Sequence, residues 1–128
     1  MEEPEWWQLQ LFPPFKVRER VQPLYHREYP ALTNHEDKLI FVVGGTMSCN
    51  VLKTVEFYRI KDGAWERAPN LNHPRRNHSC CVQGKFVYAL CGFDGARLMN
   101  SIERVDAQGL RRKSRGIKWE ILDIPQLD

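Results

Sequence analysis

Apolar positions along the chain follow strand-like patterns nearly throughout. Leu39–Val43 and Phe86–Leu90 are short unbroken apolar runs, rich in β-branched and aromatic residues and each followed by glycine within two residues. That is the pattern of strands covered on both faces. Thr54–Tyr58 alternates, with Val55 and Phe57 on one face and Thr54 and Glu56 on the other. Asp62-Gly63 marks a tight turn into a short strand around Trp65. Asn70 to Pro74 reads as a loop, and His78–Val82 begins another strand. No long amphipathic helix is predicted, because prolines at 4, 13, 14, 23, 30, 69, 74 and 125 interrupt most candidate windows.

The sequence repeats itself. At an offset of 47 residues, Lys38–Gly45 falls on Lys85–Gly92 with every apolar position kept, apart from Cys91 in place of Gly44. The same offset places Leu52–Glu56 on Met99–Glu103, keeping the glutamate and matching Thr with Ser and Val with Ile. The register then breaks: Glu56 to Trp65 is 9 residues and Glu103 to Trp119 is 16, so the second copy carries seven more. The insertion is the basic stretch at 107–118. The sum is about four short strands per repeat of ~40–50 residues, the size of a propeller blade.

In these residues the chain resembles the kelch repeat, whose pattern is a strand ending in a glycine pair, then Tyr, then Trp, then Pro-Arg leading into the next strand. Here Gly44-Gly45, Tyr58, Trp65, Pro74-Arg75 and the following His78 supply one full unit. The second copy departs from it, with Cys91 for the first glycine before Gly92, Val105 for the tyrosine, and Trp119 arriving late. The resemblance covers about residues 27–123 and implies an all-β fold: two four-stranded antiparallel blades of a kelch-type β-propeller, an incomplete ring. The expected organisation is an N-terminal arm at 1–26, a blade at 27–73, a second blade at 74–123 with the basic insertion, and a tail at 124–128. The arm reads either as the last strand of a preceding blade, with Trp7 in the role of Trp65, or as a segment packing its aromatics on a blade edge. The glycine pairs are expected where backbones crowd, so that Cys91 distorts the second blade slightly. Tyr58 and Trp65 are expected to fill the space between blades, with Trp119 a late-arriving repeat position, and Arg75 to donate hydrogen bonds near the turn from one blade to the next. Arg104 aligns with Phe57, which suggests a less covered face or a snorkelling stem. Two blades leave two apolar flanks, so the chain is expected to be a piece of a longer one or to complete a ring by self-association.

Composition narrows the function. With 42% hydrophobic and 27% charged residues, and four Trp, four Tyr and six Phe among 128 residues, this is one folded domain. The longest apolar run, Phe86–Cys91, is six residues where a spanning helix needs about 20, so no membrane association is expected. The acidic N-terminus lacks the features of an export signal, which points to the cytosol or nucleus and to four reduced, mostly buried cysteines. Net charge is only +3, but Arg111, Arg112, Lys113, Arg115 and Lys118 occur together without an acid. Catalytic chemistry finds no support: His73 and His78 are separated by Pro74, and His78, Cys80 and Cys91 lack any standard metal-ligand spacing. A nucleophile motif and a phosphate-binding glycine loop are absent too. No enzyme activity, metal or cofactor is expected.

The kelch resemblance implies a non-catalytic protein-interaction module whose loops at one mouth of the propeller recognise a partner protein. The loops would be Thr46–Val51, Phe93–Leu98 and Asn70–Arg76, with Met47, Asn50, His73, Arg76, Asp94 and Arg97 reaching the partner. Kelch proteins include substrate adaptors of ubiquitin ligases and cytoskeletal scaffolds. The alternative is that Arg111, Arg112, Lys113 and Arg115 bind RNA or another polyanion. Against that alternative stands a solvated hairpin loop, the ordinary state of a long connection.

Overall fold

A computed structural model describes residues 7–9, 17–20 and 26–122, and the tail at 124–128 lies outside them. In chain order the strands are β1 (Trp7–Leu9), β2 (Val17–Arg20), β3 (Ala31–His35), β4 (Leu39–Val43), β5 (Thr46–Met47), β6 (Asn50–Val51), β7 (Val55–Arg59), β8 (Ala64–Ala68), β9 (Ser79–Gln83), β10 (Phe86–Leu90), β11 (Ile102–Asp106) and β12 (Glu120–Leu122), with helix α1 (Ala107–Arg111) between the last two. Two four-stranded antiparallel meanders, β3-β4-β7-β8 and β9-β10-β11-β12, make up most of the molecule. Neither closes into a barrel, which is consistent with a partial kelch propeller.

The apolar runs Leu39–Val43 and Phe86–Leu90 hold the same second place in their sheets, as the repeat requires. Pairing repeats residue by residue: Val43 faces Val55 as Leu90 faces Ile102, and Phe41 faces Phe57 as Tyr88 faces Arg104. The loops repeat as well, Thr46 bridging Val51 as Phe93 bridges Leu98. Only the first strands run at a spacing of 48, because three residues at 36–38 join β3 to β4 where Gly84 and Lys85 suffice between β9 and β10. At that same spacing, β1 pairs with β2 through Trp7↔Arg20, as β7 pairs with β8 through Val55↔Ala68. The arm contains two strands where the sequence suggests one, and a register shift between Trp7↔Arg20 and Leu9↔Val17 takes the second pair off the β7–β8 pattern.

The core lies between the two sheets. Leu39, Phe41, Val43, Val55 and Phe57 from the first meet Val87, Ala89, Val105, Ala107 and Trp119 from the second. Alternation dictates the division, since residues two apart on a strand share a face and burying that face is the main driving force. Phe41 and Phe57 rings stand 5.5 Å apart across β4 and β7. Tyr58, one residue on from Phe57, points the other way and stacks on Trp65 at 5.1 Å, on the face turned away from the second sheet. Neither of the two expected aromatic fillers, Tyr58 and Trp65, joins the core between these two sheets; the indole there is that of Trp119. It precedes β12 by one residue and its indole Nε1 donates to the Pro69 carbonyl at 2.9 Å.

The basic insertion is no solvated hairpin loop. Asp106 caps α1 by accepting the Gly109 amide at 2.8 Å, while Leu110 and Ile117 pack on the core. From the first sheet, Arg59 donates to the carbonyls of Leu110 and Arg111, each at 3.0 Å, supplying acceptors at the helix C-terminus with a partner. The insertion clips the two sheets together.

Candidate functional site

Each sheet is built around one buried arginine. Arg75 is fully buried and donates through Nη1 to the carbonyls of Cys91 and Ser101, both at 2.9 Å. Its Nε and Nη2 reach Glu103 at 3.2 and 3.0 Å, and Nη2 also reaches the Ser101 hydroxyl at 2.8 Å. Glu103 further accepts the Asn72 amide and side chain and the His73 amide. In the first sheet, Arg27 donates through Nη1 to Gly44 and Thr54, the equivalents of Cys91 and Ser101, and pairs with buried Glu56 at 3.7 Å. The structural role expected of Arg75 is thus present twice. Sequence reasoning missed Arg27, since it precedes Arg75 by 48 residues and not 47.

The backbone of Arg75 serves the other sheet. Its amide donates to Leu52 O at 3.0 Å and its carbonyl accepts Gly45 N at 2.8 Å. Gly44 has φ +62, and a Cβ there would lie 2.5 Å from the Arg75 oxygen. The glycine pair is needed because the next sheet's lead-in segment lies against it. Cys91 adopts φ +56, the conformation of Gly44, so the expected distortion of the second sheet does not occur.

The loops Thr46–Val51 and Phe93–Leu98 are neighbours. Met47 and Asn50 pair across the β5–β6 hairpin and are both exposed. Asp94 and Arg97 occupy the equivalent loop of the second sheet, whose Gly95 approaches Val51 of the first. Asp94 turns its carboxylate onto the amides of Ala96 and Arg97 at 2.7 and 2.8 Å. Those amides, Arg97 foremost, hold its carboxyl below the usual range. Arg76 is half-buried with its guanidinium 4.9 Å over the Phe93 ring, and His73 is exposed on the connector. Of the basic group, Arg112, Lys113 and Arg115 are exposed, but Arg111 is half-buried at the end of α1. The four cations do not form a single open surface.

The thiols are less buried than the sequence suggests: Cys49, Cys81 and Cys91 are exposed and Cys80 is half-buried. Two of them sit in loops and strand ends, and Cys81 faces outward beside Tyr88 while Cys80 faces inward beside Ala89. Burial, with the Cys81 thiol adding, pushes Cys80 up to about 12, which leaves it an inert thiol. Burial holds His78 down at about 4, against the pull of the Val43 carbonyl and with help from Arg75. A histidine neutral in the fold but ionised when unfolded takes up its proton on unfolding. Stability is therefore expected to decline as pH falls from about 6.5 to about 4, and His78→Gln to flatten that part of a urea-midpoint profile. An unchanged profile in the variant would contradict the assignment. Among the described residues, no three His, Cys, Asp or Glu side chains come together as a metal set, and no helix is long and apolar enough to cross a membrane.

Residues 37–72 match the family described as the kelch motif. Over 83 residues, 60% of this chain, the sequence is 25% identical to the Kelch repeat and BTB domain-containing protein 2 of horsepox virus and 24% identical to its namesake of cowpox virus (strain GRI-90 / Grishak). The match spans about 15% of the length of each relative.

Proposed function

We propose that this chain, a kelch-repeat protein with its motif at residues 37–72 and the same architecture in a second sheet, is a non-catalytic module that binds a partner protein through adjacent loops at one mouth. Kelch repeats are protein-interaction repeats. The observation that carries the reading is the pair of equivalent loops, Met47–Asn50 and Phe93–Leu98, displayed side by side by two sheets that a shared core holds rigid. Met47, Asn50, Asp94 and Arg97 face the partner, with His73 and Arg76 at the connector. The strands β1 and β2 read as the outer half of a preceding blade, and further blades come from a longer chain or from self-association. The relatives' names pair kelch repeats with a BTB domain, which supports a place in a larger assembly such as a ubiquitin-ligase adaptor or a cytoskeletal scaffold.

The test is affinity capture of the partner, followed by substitution. Met47→Ala combined with Asn50→Ala and Arg97→Ala is expected to weaken capture at least tenfold, while Arg112→Ala with Lys113→Ala and Arg115→Ala leaves it unchanged. The reverse pattern, with a steep salt dependence, would replace this reading by polyanion binding.

A further inference from the structure

Two serines closely follow a pair of arginines, Ser79 after Arg75-Arg76 and Ser114 after Arg111-Arg112. Both serines are exposed, so the fold separates them by what it does with the arginines. Before Ser79, Arg75 is fully buried on Glu103, and Arg76 is tied to Phe93 by two backbone bonds and by its ring contact. Ser79 itself opens β9 and pairs with Leu90. Before Ser114 the reverse holds. Residues 112–116 are exposed without interruption, Lys113 and Arg115 flank the serine, and no acid occurs within 107–118. Arg111 is half-buried, and its Nε has no hydrogen-bond partner to give up.

The run around Ser114 is folded onto a helix end. The Lys113 amide donates to Leu110 O at 3.1 Å and the Ser114 amide to Gly109 O at 2.9 Å, with Lys113 at φ +59. These are the two crossed bonds that close a helix on a left-handed residue. Arg59, reaching across from the first sheet, holds the carbonyls of Leu110 and Arg111 in the same turn. An enzyme that reads arginines with carboxylates must take 111–115 as an extended segment, so that each guanidinium meets its own acceptors. In the closed turn these residues are bent back on α1. They are released when the clip between the sheets opens, and Leu110 and Ile117, packed on the core at either end, bound the part that must move.

We propose that Ser114 is a phosphorylation site for an arginine-directed serine kinase, gated by the Arg59 clip. Ser114 Oγ attacks the γ-phosphorus of ATP, the bond to the β–γ bridging oxygen breaks, ADP leaves, and the hydroxyl proton passes to the kinase's base. The ester brings about −1.5 to −2 charges among cations that have no acid beside them, so an opening of the joint between the sheets is recorded as a change of local charge. In the test, the full chain and a peptide of residues 107–118 are each incubated with such a kinase and radiolabelled ATP. Label is expected at Ser114, reduced at least tenfold in Ser114→Ala, kept in Ser79→Ala, and acquired more slowly by the chain than by the peptide. Arg59→Gln should raise the initial rate at Ser114 at least threefold with Ser79 still unlabelled. Lys113→Gly, which suits φ +59 and tightens the turn, should lower the ratio of chain rate to peptide rate at least threefold when both carry the change. This second variant needs no loss of structure, so it decides the gate even where Arg59→Gln unfolds the sheets and exposes Ser79 to the kinase. Label on Ser79 of the parent chain, no label on the chain while the peptide is labelled, or a rate ratio indifferent to Lys113→Gly would overturn the proposal.

Discussion

Arg75→Ala is expected to lower the unfolding free energy by about 3–5 kcal/mol, the range for removing one partner of a buried ion pair. The substitution leaves Glu103 buried without its cation, and it deprives the carbonyls of Cys91 and Ser101 of their donor. Set against a total stability of about 5–15 kcal/mol for a folded domain, that loss is a large fraction and should move the urea midpoint far down. Arg75→Lys should recover only a part, because a point charge cannot fork to a carboxylate and two carbonyls together. The double variant Arg75→Met with Glu103→Leu should be more stable than Arg75→Ala alone, since no unpaired charge remains. A midpoint for Arg75→Ala within 1 kcal/mol of the parent would show that the network contributes little.

Gly44→Ala has the second-largest expected effect. The new methyl meets the Arg75 carbonyl at 2.5 Å and the His78 ring at 3.0 Å, and the residue must also hold φ +62. Backbone strain and overpacking together are expected to cost on the order of 3 kcal/mol. Gly84→Ala is the control, with φ +59 and no atom within 4 Å, so it should cost only ~1 kcal/mol from the backbone conformation. The difference between the two isolates the contact between sheets. Equal losses would mean that Gly44 matters for its own turn and not for docking. Cys91→Gly, relieving an exposed cysteine at φ +56, should raise the midpoint.

Much of this was legible in the sequence because the repeat conserves side-chain chemistry where the backbone is fixed. From Lys38 to Glu56 and from Lys85 to Glu103 nothing is inserted, so one offset exposes both inner strands, the glycine turn and the third strand together. The signal fails where length changes by a single residue. The three-residue turn at 36–38 shifts β3 and Arg27 out of register, so Arg27 lost its likeness to Arg75, and the kept Glu56 and Glu103 passed as a matched pair without a role. Helix α1 was hidden by Gly109 and by the surrounding cations, although Asp106 three residues ahead of that glycine is a capping residue and Leu110 and Ile117 are apolar. The strands β1 and β2 share one pair position with β7 and β8 and no set of residue types, which no comparison of side chains detects. Of the candidate residues, the repeat puts Met47, Asn50, Asp94 and Arg97 on equivalent loops, but the stacking of Arg76 on Phe93 depends on a bridge between segments 17 residues apart.

Arg75 belongs to two units at once, its main chain gripped by the loops of the sheet before it and its guanidinium by the strand ends of the sheet to which it leads. Such a shared residue makes each unit's completion contingent on its neighbour's. The clamp on Gly45 and the strand ends at Cys91 and Ser101 therefore depend on one another, in the manner of a one-dimensional lattice with strong coupling between adjacent sites. Hydrogen exchange should then report one joint opening event for both sheets, in which the amide of Gly45 is released together with those of β10.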